Sequence, residues 1–257
     1  MRHTEPDKIV PKVKFGKWDV MPNWLRSLPG YAALSWFRQV VFNRNFRETA
    51  LLRAFPPLGL FQPTGYTDFD RHPDLFTLAR EAVGDGPDRQ LLSFGCSTGE
   101  EVLSLRRYFP TAQITGLDIS PRRIRKCRRR ARELGADPGI RFAVAASAEG
   151  LAPESFDAIF ANSVFRHSDL NVAPPQSDHW LRFCDFEKTV SSLARCVRCG
   201  GLLIIRHANF SFIDTQAALD FEPILIMRRN SKTPLYDTAN QLVPLEHNEA
   251  VVFRRRS

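Results

Sequence analysis

Leu91-Leu92-Ser93-Phe94-Gly95-Cys96-Ser97-Thr98-Gly99-Glu100-Glu101 reads as a buried strand, a turn of small residues and the opening of a helix. In an open α/β sheet, ligands settle in the crevice beyond the carboxyl end of such a strand. Gly95 and Gly99 suit that place, because a Cβ at either position would crowd a molecule in the crevice. Thr98 is expected to cap the helix, with Glu101 three residues on completing a capping box. Two ligand classes are excluded. A nucleotide phosphate loop needs a Gly-Lys-Ser/Thr ending that is missing here, and the dinucleotide pattern GxGxxG fails because positions 97 and 100 are Ser and Glu. Glu100 would stand where a pyrophosphate needs the helix N-terminus. A nucleoside without phosphates fits better, and the glutamates can accept hydrogen bonds from an ammonium group.

Outward from this loop, short apolar runs alternate with helical patterns. Strands are expected at 91–94, 113–117, 142–145, 156–161 and 202–206, and helices at 72–83, 102–108, 121–134 and 186–197. This βαβα alternation predicts a mostly parallel sheet with helices on both faces, a three-layer α/β sandwich. Further strands are expected at 223–227 and 250–253. Asp118 follows the second strand, 19 residues beyond Gly99, where a carboxylate can take the two hydroxyls of a ribose. Ser120 and Pro121 supply a cap and first-turn residue for the next helix, so Asp118 alone could also be a turn residue.

Residues 1–20 read as a polar arm and 66–257 as the main domain. Between them, 21–65 reads as a helical extension stopped by Pro56-Pro57-Leu58-Gly59. Its bulky apolar residues, Trp24, Trp36, Phe37, Phe42 and Phe55 among them, need a surface to cover, and a lid over the crevice, or else a seat against a partner or membrane surface, is the expected use.

The 257 residues are 43% hydrophobic and 25% charged, which excludes wholesale disorder. No apolar stretch approaches the roughly 18 residues of a membrane span. Five cysteines, an odd number, and a polar start make a reducing cytoplasm the expected compartment. Cys196-Val197-Arg198-Cys199 has zinc-like spacing but lacks further ligands nearby, so the cysteines are expected to be structural and no metal is expected. The formal charge of +8 is concentrated at 122–132, where eight basic residues surround a stripe of Ile124, Cys127, Ala131 and Leu134. An electropositive outer surface is expected there, suited to a polyanion or an anionic membrane, or simply solvated; no nucleic-acid module accompanies it.

The run 95–101, followed by Leu117-Asp118-Ile119-Ser120, resembles the class I S-adenosylmethionine-dependent methyltransferases. It is most similar to the chemotaxis-receptor glutamate methyltransferases, which share the departure from the general glycine motif at Ser93 and Ser97. The likeness covers roughly 65–210, including Asp70-Arg71-His72-Pro73-Asp74-Leu75-Phe76 and Gly200-Gly201-Leu202. It implies a seven-stranded sheet of order 3-2-1-4-5-7-6 and S-adenosylmethionine as methyl donor. By position, Gly95, Cys96, Ser97, Thr98, Gly99 and Glu101 would form the methionine and ribose side, Asp118 would hold the ribose, and Ile119 would pack on adenine. Ser147 and Ala148 fall where many members reach the adenine amino group, and Asn162 and Ser163 occupy the motif beside the transferring methyl.

Methyl transfer is an in-line displacement governed by orientation, and a base is needed only when the acceptor must lose a proton. Candidate bases are His167 and His179, and Tyr66 is a candidate to cover the methionine end. The fourth motif, Ala161-Asn162-Ser163-Val164-Phe165-Arg166-His167, departs from that of the chemotaxis enzymes, as does the stretch 1–65. The favoured expectation is therefore methylation of a small organic acceptor. Methylation of a protein carboxylate or of RNA, or a regulatory protein that binds the nucleoside without turnover, are the alternatives.

Overall fold

The computed structural model describes residues 31–229, 233–244 and 248–256. The chain divides into two compact units, 1–50 and 51–257. In the first, helix α1 (Tyr31–Phe42) leads into α2 (Arg44–Ala54), which continues into the second unit. Asn43 separates the helices, and its Oδ1 accepts from the amides of Asn45 and Phe46 at 3.1 and 3.0 Å, satisfying donors that begin a helix. The polar arm at 1–20 and the extension's first residues, to 30, lie outside the described residues. The boundary expected at 65 falls at 50, so 51–65 belong with the main domain.

The main unit follows the expected alternation. In order come α3 (Pro73–Val83), β1 (Gln90–Phe94), α4 (Glu100–Tyr108), β2 (Gln113–Asp118), α5 (Pro121–Glu133), β3 (Ile140–Val144) and β4 (Phe156–Asn162). Then follow α6 (Phe183–Cys196), β5 (Val197–Arg206), β6 (Phe221–Arg228) and β7 (Asn248–Arg255). The sheet order is β3-β2-β1-β4-β5-β7-β6, with β7 antiparallel to both neighbours, a Rossmann-like class I methyltransferase arrangement. Burial on both faces explains why β1 and β4 read as continuous apolar runs rather than as alternation. One face packs under Phe165, Phe186, Leu193 and Phe210, the other under Phe76, Leu105, Phe109 and Ile124. Buried Asp157, at the start of β4, accepts from Arg198 at 2.6 Å, from Arg89 at 3.1 Å and from the Gln90 amide at 2.8 Å. These bonds tie the amino ends of three strands together, opposite the ligand end.

Several boundaries move for physical reasons. Helix α6 starts at Phe183, one turn before the expected 186, because Phe183 also packs inward. Strand β5 runs back through Gly200 and Gly201 to Val197, so the cysteine pair splits: Cys196 ends a helix and is buried, while Cys199 is exposed in the strand. Both are free thiols, and among the described residues no group of three or more metal-ligating side chains converges. Helix α5 buries Arg123 along with Ile124 and Cys127, and leaves Leu134 exposed. Its basic residues are thus not all on the outside. No helix of the described residues is long and apolar enough to cross a membrane.

Candidate active site

A cavity of about 300 Å³ opens at the carboxyl ends of β1, β2 and β4. Three turns of the sheet and the stretch 59–72, which runs ahead of α3, supply its walls. Gly95 (φ +74) turns the chain out of β1, and a Cβ there would collide with Val164 of the opposite turn. The Cys96 amide donates to Leu117 O at 2.8 Å, and the Ser97 amide donates to Asp118 Oδ2 at 2.9 Å. Asp118 Oδ1 accepts from the Ser120 amide at 2.8 Å. The buried carboxylate is thereby oriented by two backbone donors while lining the cavity. Ser120 caps α5 as expected, accepting from the Arg123 amide at 3.2 Å.

The capping box expected at α4 does not form. Gly99, left-handed at φ +94, is the N-cap and offers no side chain; Thr98 donates instead to Glu100 Oε2 at 2.6 Å. Glu101 turns inward, where its Oε1 accepts from Ser93 Oγ at 2.7 Å and its Oε2 from Asn162 Nδ2 at 2.9 Å. Burial pushes its carboxyl above the usual range, against the pull of those two donors and of Arg71. A serine at position 93, within a strand, is thus explained by the carboxylate it serves.

The stretch 59–72 is a strap laid across the turns. Ser97 Oγ donates to Gly65 O at 2.8 Å, and Arg123 Nη2 donates to Pro63 O at 2.7 Å. A Cβ on Gly65 would come within 2.7 Å of Arg123 Nε, so glycine permits this close approach. Further along, Asp70 is pinned to α4: its amide donates to Ser104 Oγ at 2.8 Å and its Oδ1 accepts from Tyr108 OH at 2.7 Å. Arg71 and His72 follow at once, fixed between that anchor and Pro73 in the first turn of α3, and both line the cavity.

His72 is buried, and its Nε2 has no partner among the described residues. Burial, followed by the charges of Arg206 and Arg71, lowers its pKa to about 4. Its ring lies 5.7 Å from that of His207, whose pKa falls to about 3 through burial and then Arg206. Arg166 also lines the cavity and donates from Nη2 to Asn171 Oδ1 at 2.7 Å. Asn162 Oδ1, Ser163 Oγ and Gln62 Oε1 are buried without partners among the described residues.

Of the residues expected at the site, Gly95, Cys96, Ser97, Glu101, Asp118, Ile119, Asn162 and Ser163 line the cavity. Tyr66 does too, three-quarters exposed (75%), with the Arg71 guanidinium 5.6 Å from its ring centre. Thr98 and Gly99 are not on the wall, being the cap of α4. Ser147 and Ala148 are displaced by Ala145 and Ala146, because β3 ends at Val144 and the chain turns inward sooner. Ala148 packs beneath α6, its amide donating to Ser192 Oγ at 3.3 Å. His167 is off the wall, its Nδ1 accepting from the Asp169 amide at 3.2 Å as it caps a short 3₁₀ turn. His179 is exposed against Trp180. The imidazole on the wall is His72, which periodicity could not reveal; the signal was an Arg-His pair in an aperiodic, glycine- and proline-delimited stretch.

A family model described as a methyltransferase domain matches residues 86–241, more than half of the chain. Two curated relatives, trans-aconitate 2-methyltransferases of Rhodopseudomonas palustris strains BisA53 and BisB18, are 33% and 35% identical over 78 residues. Each match covers 30% of this chain and 28% of the relative. Among solved structures, the [4+2]-cyclase SpnF is 23% identical, covering 62% of this chain and 61% of that one, with a TM-score of 0.45. Geranyl diphosphate C-methyltransferase from Streptomyces coelicolor A3(2) is 21% identical, covering 52% and 44%, with a TM-score of 0.38.

Proposed function

Since the chain belongs to the methyltransferase-domain family that its residues 86–241 match, we propose that it transfers a methyl group from S-adenosylmethionine to a small organic acceptor. The observation that carries this reading is Asp118. It is a buried carboxylate, held by the amides of Ser97 and Ser120, beside a glycine turn and inside a cavity of about 300 Å³. A carboxylate so held accepts hydroxyl hydrogen bonds from a ribose and repels a phosphate. When bound, S-adenosylmethionine supplies an electrophilic methyl group on a sulfonium cation. Ile119, Ala145 and Ala146 give the apolar surface that an adenine ring needs. Glu101 and Arg71 offer opposite charges to the zwitterionic amino-acid end, an ammonium to the glutamate and a carboxylate to the guanidinium.

The acceptor then lies between the 162–166 turn and the strap. The stretch 59–72, whose residues 59–65 lie within the 21–65 expected to act as a lid, lines the cavity and serves as its cover. His72, held neutral, is the group that takes a proton when the acceptor has one to lose. A finer likeness, to the chemotaxis-receptor glutamate methyltransferases, rests on the serines at 93 and 97 and on 70–76. It is the second reading, and the strap favours a small acceptor over it. Isothermal calorimetry with S-adenosylhomocysteine tests the donor assignment. Asp118→Ala is expected to weaken binding by about 2 kcal/mol, the scale of hydrogen bonds to a charged group. Absence of binding by the parent, or tight binding of NAD instead, sinks the proposal.

A further inference from the structure

The geometry points to Arg166 and His72 as the binding site for an oxyanion carried by the methyl acceptor, so that the acceptor is a small acid. This rests on the donor reading above and deepens it. Arg166 leaves the turn after β4, four residues beyond Asn162, and faces the cavity. Its Nη2 is bonded to the neutral Asn171, but its Nε is buried with no acceptor. Among the described residues no carboxylate pairs with Arg166, and none pairs with Arg71. Of the acids lining the cavity, Glu101 is bonded to Ser93 and Asn162, Asp118 to the backbone of its turn with the Arg123 guanidinium 3.8 Å away, and the exposed Asp68 accepts from the Phe69 amide. Arg71 has the Glu101 carboxyl near it, whereas Arg166 stands without an ion-pair partner among the described residues, and burial, then the charge of Arg71, lowers its affinity for its own proton.

A partly buried cation without an anion is costly, and the cost is relieved by pairing. The amino-acid end of the donor carries one carboxylate, which Arg71 can take beside Glu101. Arg166 is left over. His72 and Ser163 line the same cavity, and His72 Nε2 and Ser163 Oγ are buried without partners among the described residues, so polar groups as well as the guanidinium face its interior. A cationic acceptor would meet Arg71 and Arg166 together, and a neutral one would leave Arg166 desolvated and unpaired. A carboxylate or a phosphate monoester instead presents the planar or forked oxygens that a guanidinium binds in bidentate fashion. Its charge would also offset the arginines that depress His72, making that imidazole a better proton acceptor when the acceptor is in place.

The test uses the full chain, titrated with benzoate, phenyl phosphate and benzamide, with and without saturating S-adenosylhomocysteine, and followed by calorimetry and thermal melting. The expected result is saturable binding of at least one acid, tenfold or more tighter than benzamide, and the stronger acid identifies the oxyanion as carboxylate or phosphate. Arg166→Gln is expected to lose at least tenfold in affinity for the acid, Arg166→Lys to lose less, and both to keep nucleoside affinity within threefold. Equal binding of acid and amide overturns the proposal, as does undiminished acid binding by Arg166→Gln. Loss of nucleoside affinity in Arg166→Gln equal to its loss of acid affinity also overturns it, by giving this arginine to the donor. Failure of the parent to bind the nucleoside defeats the donor reading alone, because the acid-to-amide ratio is read without it.

Discussion

The two walls of the cavity are built by different means. The sheet-end wall, from Gly95 to Ser97, Asp118 to Ile119 and Asn162 to Ser163, is positioned by strand register and held by short backbone bonds. The strap wall at 59–72 has no regular structure before Pro73 and is held by a few side-chain pins: Ser97 on Gly65, Arg123 on Pro63, Tyr108 and Ser104 on Asp70. The sheet-end wall carries Asp118 and, from the start of α4, Glu101, while the strap adds the exposed Asp68. The strap and the turns beside it carry the bases, Arg71, His72 and Arg166. On the proposed function, regular structure fixes most of the end that would meet the donor, with Arg71 reaching it from the strap, and irregular structure fixes the end that would meet an acceptor, where variation costs the fold least.

This division has a pH signature on the basic side. His72 and His207 are neutral in the folded protein because burial, and then Arg206, oppose their protonation; Arg71 adds to both, and Arg166 and His72 add to His207. In the unfolded chain each takes a proton near 6.5. Stability is therefore fully present above that value and is lost as pH falls toward about 4 for His72 and about 3 for His207. For His72 alone the loss at pH 5 is about 2 kcal/mol. Glu101 acts with the opposite sign, since its carboxyl is raised, so the measurement that isolates the histidine is a difference. Urea unfolding of the parent and of His72→Gln at pH 7.5 and pH 5 is expected to show a shallower loss in the variant. Parallel losses would remove His72 from the pH response.

A smaller effect separates the walls mechanically. Gly65→Ala pushes a methyl group toward an Arg123 guanidinium already bonded to Pro63 O, and the strap must lift or the arginine must move. The expected cost is about 1 to 2 kcal/mol of stability. Because Asp118 keeps its amide donors from Ser97 and Ser120, nucleoside affinity is expected to fall less than in Asp118→Ala. Unchanged melting would show that the strap is not seated on Arg123; a loss of nucleoside affinity as large as that of Asp118→Ala would make the two walls one binding unit.

The same contrast explains what could be read without coordinates. Apolar runs and helical spacing carried the alternation of strands and helices, and the glycine turn with Asp118 carried the donor wall, since both depend on residues near in sequence; the sheet order came only with the family resemblance. Glu101 was expected to cap its helix because a local rule said so. Ser93 and Asn162, the latter 61 residues away, outcompete that rule in the fold. Ser147 and Ala148 were misplaced by a strand that stops at Val144, so two alanines stand at the wall instead. Arg123 sits at a helical step that should be apolar, and the strap, with Pro63 O to receive it, together with the buried Asp118 carboxylate 3.8 Å away makes burial of a guanidinium tolerable. His72 and Arg166 escaped notice because no spacing links a residue ahead of the first strand to one after the fourth.

The least effect is expected on the outside of α5, where the basic residues divide into two sets. Arg123 and Arg128 reach backbone oxygens of the strap and of Phe142, and Arg130 pairs with Glu100; these are parts of the fold. Arg125 and Arg132 are exposed, and Arg129 pairs only with Glu133 one turn on, an interaction worth a few tenths of a kcal/mol. Reversing Arg125, Arg129 and Arg132 to Glu is therefore expected to change stability by about 0.5 kcal/mol at most and to leave nucleoside affinity unchanged. We propose that this outer set, within the stretch 122–132, makes whatever contact the helix has with a polyanion or an anionic membrane surface. Retention on heparin and on anionic vesicles across a salt series should then fall in the triple variant and lose part of its salt dependence. Retention equal to that of the parent would reduce the outer arginines to solvation. A large loss of stability would instead show that the outer set, like the inner one, belongs to the architecture of the sheet-end wall.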